Sequence, residues 1–321
     1  MGVASPCCYV RARLGNIVLV IACLLVGIVA RKSGRFPAGT AMVLSRVVID
    51  VALPAMTLLF VPRIGIEGGD GLEVVIAAAA IPWLTFGVAL GLLWPLARVR
   101  GWSRGTLGAL VLTAGLGNTA FVGFPMIEAL YGSDGLRTAI VLDQAGSFLV
   151  LSTAGVAYAA LSAGRERPSA AAFARRLAAF PPFLAFVAAL LLHGVVFPPI
   201  VVVVLEKLAA LVVPLALLSV GYQLQIDRSA LARDGLKVGA GLIVRLALAP
   251  LVVLLVLRAV GLRGEPADVI VAESAMGPMV TGAVLAVEEK LDPPLATLMV
   301  GIGVPLSLVT VPLWAWLLRL L

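Results

Sequence analysis

Four charged side chains lie inside long apolar stretches of the sequence, and their types limit the chemistry they can do. Asp50, Asp143 and Glu273 carry carboxyl groups, which bind protons or cations. Arg245 carries a guanidinium, which holds a carboxylate through two parallel N–H bonds. A charge near the centre of a bilayer costs at least about 2.5 to 3.5 kcal/mol on insertion scales. Each of the four therefore needs a functional or a structural reason to be there.

Arg245 lies near the middle of its apolar segment, where its guanidinium could bind the carboxylate of a ligand. The alternative is a buried ion pair with Glu273 or Asp143. Glu273 precedes Gly277 by one helical turn, and a carboxylate so placed could bind a proton or a cation. We expect Arg245 to bind the ligand and Glu273 to couple or support that binding.

Asp143 and Gln144 lie about two turns into another apolar segment. They either handle a substrate or a proton directly or form hydrogen bonds between helices. Asp50 follows Arg46 by four residues, which places the two side chains on one helix face and favours an ion pair. Asp143, Gln144 and Asp50 are therefore expected, with Glu273, in a coupling or supporting role.

Breaks rich in Gly and Pro interrupt two other apolar segments. Asn118 lies at the first break, and its amide can donate and accept hydrogen bonds simultaneously. Broken helices survive in lipid only where the break is buried in protein or lines a cavity, so both breaks indicate a site. The residues predicted to bind a substrate are Gly117, Asn118, Thr119, Gly277, Pro278, Thr281 and Arg245.

The composition explains what kind of protein positions these residues. Of 321 residues, 61% are hydrophobic and only 13% are charged, whereas soluble domains have roughly 25% charged residues. The chain is therefore expected to be an integral membrane protein. Its net charge of +7 comes from Lys and Arg scattered singly between apolar runs, which argues against a nucleic-acid partner.

Three cysteines and a single histidine cannot assemble a Cys/His metal cage, so we expect neither a metal nor a cofactor. The motifs of serine hydrolases and zinc proteases do not occur in the sequence. An enzyme is therefore not expected.

Apolar runs between charged or Pro/Gly-rich breaks predict ten membrane spans. The first five cover residues 14–30, 41–61, 73–96, 106–129 and 136–160. The second five cover residues 179–197, 201–224, 236–258, 268–287 and 295–318.

The two sets of spans repeat one pattern. Pro54 and Pro214 lie at the same ordinal place in the two halves, and so do the breaks in spans 4 and 9. Because five is odd, the halves must run in opposite directions, as inverted repeats do. The predicted fold is an all-α membrane protein of ten helices in two inverted repeats, residues 1–160 and 179–321, joined by a linker at residues 161–178.

The distribution of basic residues predicts the orientation. Of the 24 Lys and Arg, fifteen fall on the side of the linker, eight fall on the side of the termini, and Arg245 lies within a span. The positive-inside rule therefore places the linker in the cytoplasm and both termini outside the cell membrane, which is a plasma membrane or a bacterial inner membrane.

The residues around the first break carry a family resemblance. Residues 116–125, Leu-Gly-Asn-Thr-Ala-Phe-Val-Gly-Phe-Pro, resemble the signature of the auxin efflux carrier family, whose plant members read Pro-Asn-Thr there. Residues 285–294 and 45–54 resemble other landmarks of the same family. The resemblance implies that the two broken helices cross at their breaks. Gly117 stands where the plant proteins have Pro, and Pro278 follows Gly277 by one residue, so the geometry of that crossing is expected to differ in detail.

The resemblance implies a scaffold of spans 1, 2, 6 and 7 and a mobile unit made of the other spans. It also implies a carrier, since bacterial relatives are taken to transport small carboxylates such as malonate or malate. The long cytoplasmic loop of the plant proteins is missing here, so auxin itself is not an expected substrate.

The sequence thus predicts a secondary carrier of a small organic anion that works by alternating access. The alternative is a membrane receptor that binds the same anion without moving it. The expected partners are the anion, the lipid bilayer, and a proton or sodium ion if transport is coupled. A homodimer is left open.

Overall fold

The computed structural model describes residues 6–37, 39–63, 69–166, 169–224 and 228–321. These residues form helices and contain no strand. An isolated antiparallel bridge joins Gly117 to Pro278. Six of the described helices are long and apolar enough to cross a membrane, by length and composition.

Five helices precede the linker. They are α1 (Pro6–Lys32), α2 (Thr40–Phe60), α3 (Gly69–Arg100), α4 (Arg104–Gly115) and α5 (Thr119–Ser162). α5 is not continuous, because Gly132 has φ +78° and ψ −168° and separates residues 119–131 from residues 133–162. A positive φ is a backbone conformation that glycine adopts without steric cost.

Seven helices follow. They are α6 (Ala170–Ala178), α7 (Pro181–Leu191), α8 (Pro199–Gln223), α9 (Ser229–Ala259), α10 (Glu265–Ser274), α11 (Val280–Glu288) and α12 (Pro293–Leu318). The six that could cross a membrane by length and composition are α2, α3, α5, α8, α9 and α12.

Some expected spans differ from these helices. The segment at residues 106–129 is divided between α4 and the start of α5, and the segment at residues 268–287 is divided between α10 and α11. Both divisions fall at the predicted Gly and Pro breaks. The segment at residues 179–197 forms only the 11-residue helix α7, because the chain turns after Leu191.

The linker contains a helix that the sequence analysis did not predict. α6 lies within residues 161–178, and the Ser169 hydroxyl accepts a hydrogen bond from the Ala172 N–H at its start. A serine at this position satisfies one of the free N–H groups of the first turn. Arg167 and Pro168, which belong to the predicted linker, lie outside the described residues.

π-helical turns occur where the charged and polar residues lie. They cover Val48–Ala52 in α2, Thr119–Gly123 and Leu142–Ser147 in α5, and Val244–Leu248 in α9. Such turns insert one residue into a helix and are frequent at functional sites. Asp50, Thr119, Asp143, Gln144 and Arg245 all fall within them, whereas Glu273 lies in the regular helix α10.

Glycines allow α1 and α8 to pack closely. A Cβ at Gly27 of α1 would lie 2.9 Å from the backbone nitrogen of Tyr222 in α8, and a Cβ at Gly221 would lie 3.0 Å from the Leu24 backbone. Small residues permit this approach between helices in lipid, where apolar side chains gain little from meeting each other. The two halves of the chain are therefore held together away from the breaks as well as at them.

Candidate functional site: a crossing of broken helices beside a cavity

The two breaks cross each other and satisfy each other's backbone. The Asn118 N–H donates to the carbonyl of Gly277 at 2.8 Å, and the Met279 N–H donates to the carbonyl of Leu116 at 2.9 Å. Gly117 and Pro278 face each other between these bonds as the antiparallel bridge. Unpaired backbone groups in a membrane interior cost several kcal/mol, so the mutual pairing makes the breaks tolerable.

Glycine is required at the crossing because neighbouring groups come very close. A Cβ at Gly117 would lie 2.6 Å from Nη2 of Arg245. A Cβ at Gly277 would lie 2.9 Å from the carbonyl oxygen of Gly303 and 2.9 Å from the Ser307 hydroxyl. A larger residue at Gly117 would displace Arg245, and one at Gly277 would push the second break away from α12.

Arg245 closes one side of the crossing. Its side chain is 1% exposed, its Nε donates to the Met276 carbonyl at 2.8 Å, and its Nη2 donates to the Ser274 carbonyl. Its Nη1 lies 3.4 Å from the Gly115 carbonyl oxygen and 3.5 Å from that of Ala114. These carbonyls are at the C-terminal ends of α4 and α10, where a helix carries about half a negative charge. Arg245 therefore neutralises both ends at once.

This placement differs from both readings of Arg245 in the sequence analysis. The guanidinium donates to backbone carbonyls, and it does not line the larger cavity beside the crossing. In the described part of the chain, Arg245 forms no ion pair with Glu273 or Asp143. A buried guanidinium needs several acceptors, and backbone carbonyls supply them here without a carboxylate.

A cavity of about 420 Å³ lies on the other side of the crossing, at the N-terminal ends of α5 and α11. α2 contributes Ile49 and Leu53 to its wall, and Ala179 and Phe180 lie where the linker ends. Its polar and charged lining residues are Asn118, Thr119, Asp143, Ser152, Thr281 and Glu288.

Hydrogen-bond donors without protein partners face this cavity. Asn118 is 3% exposed, and its Nδ2 has no hydrogen-bond partner among the described residues. The first N–H groups of α5 and α11 have no intrahelical acceptors, as in every helix, and both helix ends carry a partial positive charge. The wall therefore offers an amide and two helix N-termini to a bound group.

Asp143 is held in the cavity wall by two hydrogen bonds. Its Oδ1 accepts from the Thr119 hydroxyl at 2.5 Å, and its Oδ2 accepts from the Gln144 amide at 2.7 Å. Gln144 is 1% exposed and does not line the cavity itself. The structure thus brings Asn118, Thr119 and Asp143 together, with Gln144 orienting the carboxylate.

Glu273 lies behind this wall. Its side chain is fully buried, and neither carboxylate oxygen has a hydrogen-bond partner in the part of the chain that the structure describes. A Cβ at Gly123 would lie 2.5 and 2.8 Å from those oxygens, so glycine makes room for the carboxyl group. Glu273, Arg245 and Thr119 line a second cavity of about 10 Å³, which is close to the smallest volume that holds one water molecule.

Of the remaining predicted residues, Asp50 lines neither cavity, whereas the others lie at the crossing or line the large cavity. Asp50 and Arg46 are both exposed, and the described residues contain no ion pair between them, because nothing holds two exposed side chains together. Thr281 lines the large cavity near the start of α11. Gly117, Gly277 and Pro278 form the crossing itself.

Several lining residues were not predicted as site residues from the sequence. Phe148 of α5 lines the cavity and stacks on Phe180, with ring centroids 3.8 Å apart and planes 11° apart. Aromatic and small polar residues inside apolar runs are indistinguishable from packing residues by type alone. Ser152 and Glu288 line the cavity too, and the π-helical turn at Leu151–Gly155 that contains Ser152 is not visible from composition.

Comparison with known proteins shows the family of the chain. Residues 14–315 match the sequence profile of a family described as "Membrane transport protein". An uncharacterized transporter from Methanothermobacter thermautotrophicus is 30% identical over 308 residues, which cover 94% of this chain and 96% of that protein. An uncharacterized transporter from Methanocaldococcus jannaschii is 26% identical over 316 residues, which cover 94% of this chain and 97% of that protein.

The chain belongs to this membrane transport protein family, which is the auxin efflux carrier family of the sequence analysis. The predicted resemblance is therefore confirmed. The protein is a multi-pass membrane transporter, and the crossing with its cavity is the candidate site for what it carries.

Proposed function

We propose that the protein is a secondary carrier of a small organic anion, a carboxylate or dicarboxylate such as malonate or malate. One observation carries the proposal: two helix N-termini and Asn118, whose Nδ2 has no described protein partner, line one cavity of about 420 Å³. Helix N-termini attract anions through their free N–H groups and their dipoles. Small-molecule sites commonly have volumes of about 300 to 1,000 Å³.

The anion would be held by donors rather than by a cationic side chain. Lys and Arg are missing from the described lining of the large cavity. Two helix N-termini supply about half a positive charge each, and Asn118, Thr119 and Thr281 add hydrogen-bond donors beside them. Gly117, Gly277, Pro278 and Arg245 would position these donors by keeping the crossing in place.

We further propose ten membrane spans in two inverted repeats, residues 1–160 and 179–321. The support comes from the breaks, which occupy the same ordinal place in each half and bond to each other in antiparallel fashion. On this scheme α4 with the first part of α5 forms the broken fourth span, and α10 with α11 forms the broken ninth.

Transport would proceed by movement of the crossing unit against the scaffold. The cavity supports this because α2, a scaffold helix in the proposal, provides Ile49 and Leu53 opposite the polar residues of α5 and α11. The wall also includes Ala179 and Phe180 beside the linker. With the linker in the cytoplasm and both termini outside, the cavity would open to the cytoplasm of a cell with this protein in its plasma or inner membrane.

Counterflow in proteoliposomes tests the proposal. Vesicles loaded with unlabelled malonate or malate should take up the labelled anion transiently if the purified protein carries it. A receptor would bind the anion without flux, and no binding at all would reject the anion proposal.

A matched pair of threonine variants locates the site. Thr281→Val removes a hydroxyl from the cavity wall and should weaken malonate or malate binding, because it removes one donor. Thr297→Val removes an exposed hydroxyl that donates to the Pro293 carbonyl at the start of α12, and binding should stay normal. Equal effects of the two variants would contradict the assignment of the cavity.

A further inference from the structure

A buried carboxyl group without a partner is an unusual feature of this transporter. Glu273 is 0% exposed, and both of its oxygens lack hydrogen-bond partners among the described residues. Burying an ionised carboxylate without hydrogen bonds or a counter-ion is so costly that such a group binds a proton instead. The position of Glu273 therefore favours its neutral form in this conformation.

The charged groups that face Glu273 do not provide a counter-ion in contact with it. Among the described residues, Asp143 of α5 and Arg245 of α9 are the charged groups that interact with it electrostatically. Asp143 repels a second negative charge. The guanidinium of Arg245 donates to carbonyls of α4, of α10 and of Met276, and among the described residues no hydrogen bond joins it to Glu273.

A metal cation is a poor occupant of this place. Arg245 lines the same small cavity as Glu273, and its positive charge repels a second cation. Sodium would also need several oxygen ligands, whereas the cavity of about 10 Å³ has room for one water molecule at most. A proton needs neither a ligand set nor space.

A short path joins Glu273 to the large cavity. Asp143 lines the large cavity, and the Thr119 hydroxyl donates to Asp143. Thr119 also lines the small cavity together with Glu273. One carboxylate, one hydroxyl and the space for one water molecule therefore separate Glu273 from the cavity that would hold the anion.

We propose that transport is coupled to protons and that Glu273 is the group that carries the proton, loaded from the cavity through Asp143 and Thr119. This inference rests on the proposed anion carrier. A hydronium ion in the cavity gives up the proton and remains as water, and an O–H bond forms on the Glu273 carboxylate. The anion and the proton then cross together and leave on the other side.

The charges in the wall give this coupling a physical reason. Asp143 and Glu273 bring negative charge close to the two helix N-termini that would attract the anion. A proton on this pair removes one negative charge before the anion arrives, so anion binding and proton binding favour each other. The coupling between anion binding and proton binding is reciprocal by thermodynamic necessity.

The first test uses wild-type protein in proteoliposomes with the membrane potential held at zero. A gradient of one pH unit, acidic outside, should drive accumulation of labelled malonate or malate by about tenfold if one proton moves per anion. A trapped pH indicator should show proton entry together with the anion. Counterflow without any proton entry would overturn the coupling, whereas absence of counterflow would reject the carrier proposal itself.

Glu273→Gln identifies the proton site, since glutamine resembles the protonated acid but cannot release a proton. The variant should retain counterflow and lose accumulation driven by the pH gradient. Asp268→Asn is the matched control, because Asp268 is a partly exposed carboxyl near the other end of α10, and it should retain both activities. Full accumulation by Glu273→Gln would overturn the assignment.

Infrared spectroscopy gives a readout that needs no substrate and no transport. The carbonyl stretch of a protonated carboxyl group at neutral pH should be present in the wild type and in Asp268→Asn, and it should be weaker in Glu273→Gln. If Glu273→Gln does not fold, Glu273→Asp keeps an acid at the site and should retain coupled transport with a shifted pH profile. An unchanged band in Glu273→Gln, or an unchanged profile in Glu273→Asp, would contradict the proposal.

Discussion

Helix ends with partial charges lie on both sides of the crossing, and the two sides stabilise these charges in different ways. On one side α4 and α10 end, and Arg245 donates to their terminal carbonyls. On the other side α5 and α11 begin beside a cavity, and the Asn118 Nδ2 finds no partner among the described residues. The C-terminal ends are thus neutralised permanently by a side chain, whereas the N-terminal ends are left for a group that comes and goes. A carrier needs this difference, because only the open side can exchange its ligand.

Removal of Arg245, the permanent partner of the two helix C-termini, should have the largest effect. Arg245→Gln would leave several buried carbonyls without donors, each of which costs about 1 to 3 kcal/mol, so the free energy of unfolding should fall by about 3 kcal/mol or more. Thermal denaturation in detergent measures the loss. Arg258→Gln, at the end of the same helix α9, is the matched control and should change the melting temperature little.

The same variant separates the structural reading of Arg245 from the reading in the sequence analysis. If Arg245 bound the carboxylate of the substrate, Arg245→Gln would weaken malonate binding strongly while the melting temperature stayed near that of the wild type. That outcome would mean that both sides of the crossing bind the ligand, and that Arg245 is not a permanent structural partner of the helix ends. The melting temperature of Arg245→Lys should lie between those of the wild type and of Arg245→Gln, because an ammonium keeps the charge but reaches fewer carbonyls.

Filling the crossing should have the next largest effect. Gly277→Ala places a methyl group against the Gly303 carbonyl, which is backbone and cannot move aside, so a loss of about 1 to 3 kcal/mol is expected. In Gly117→Ala the added methyl group meets the guanidinium of Arg245, and it should destabilise the protein by displacing that group. Gly87→Ala is the control, because no atom lies within 4 Å of the added Cβ and a neutral result is expected. Equal melting temperatures of all three variants would show that the crossing is not tightly packed.

The two breaks could be predicted from the residues, and their crossing was implied by the family resemblance, but the partners of the side chains there could not be predicted. Gly and Pro interrupt apolar runs at Gly117 and at Pro278, and the residue types alone show this pattern. The acceptors of Arg245 are backbone carbonyls, which every residue has, so no sequence signal marks them. Residue types could therefore suggest only carboxylates as partners of Arg245, and the backbone carbonyls that it contacts could not be foreseen.

Prediction of the helices from the sequence was limited in the same way. The apolar runs predicted the positions of the long helices, since hydrophobic length is a direct property of composition. Two starts were placed too late: α1 begins at Pro6 and α9 at Ser229, eight and seven residues before the predicted spans. The π-helical turn at Leu142–Ser147, which aims Asp143 at the cavity wall, and the helix α6 in the linker were not predicted. Both depend on local hydrogen bonding and on packing against distant residues. Whether the halves are inverted repeats stays a prediction.

A smaller effect is expected from the open side of the crossing. Asn118→Ala removes one donor to an anionic ligand, worth about 1.5 to 3 kcal/mol, so the affinity for malonate or malate should fall by roughly ten- to hundredfold. The melting temperature should change little, because the Asn118 Nδ2 has no described protein partner to lose. Titration calorimetry on purified protein measures the affinity, and Gln223→Ala, which removes an amide at the end of α8, should bind normally. Loss of folded protein in Asn118→Ala would instead assign Asn118 to the packing of the crossing.

The smallest expected effect is a labelling difference that fixes which way the open side faces. Ser169 is exposed at the start of α6, in the linker that ends beside the cavity at Ala179 and Phe180. In a variant whose native cysteines are replaced by serine, Ser169→Cys should leave anion flux unchanged, because Ser169 touches neither cavity. An impermeant thiol reagent should label it in lysed cells but not in intact cells, since the positive-inside rule places the linker in the cytoplasm. Equal labelling in intact cells would place the linker outside, and the cavity of this conformation would then open to the exterior.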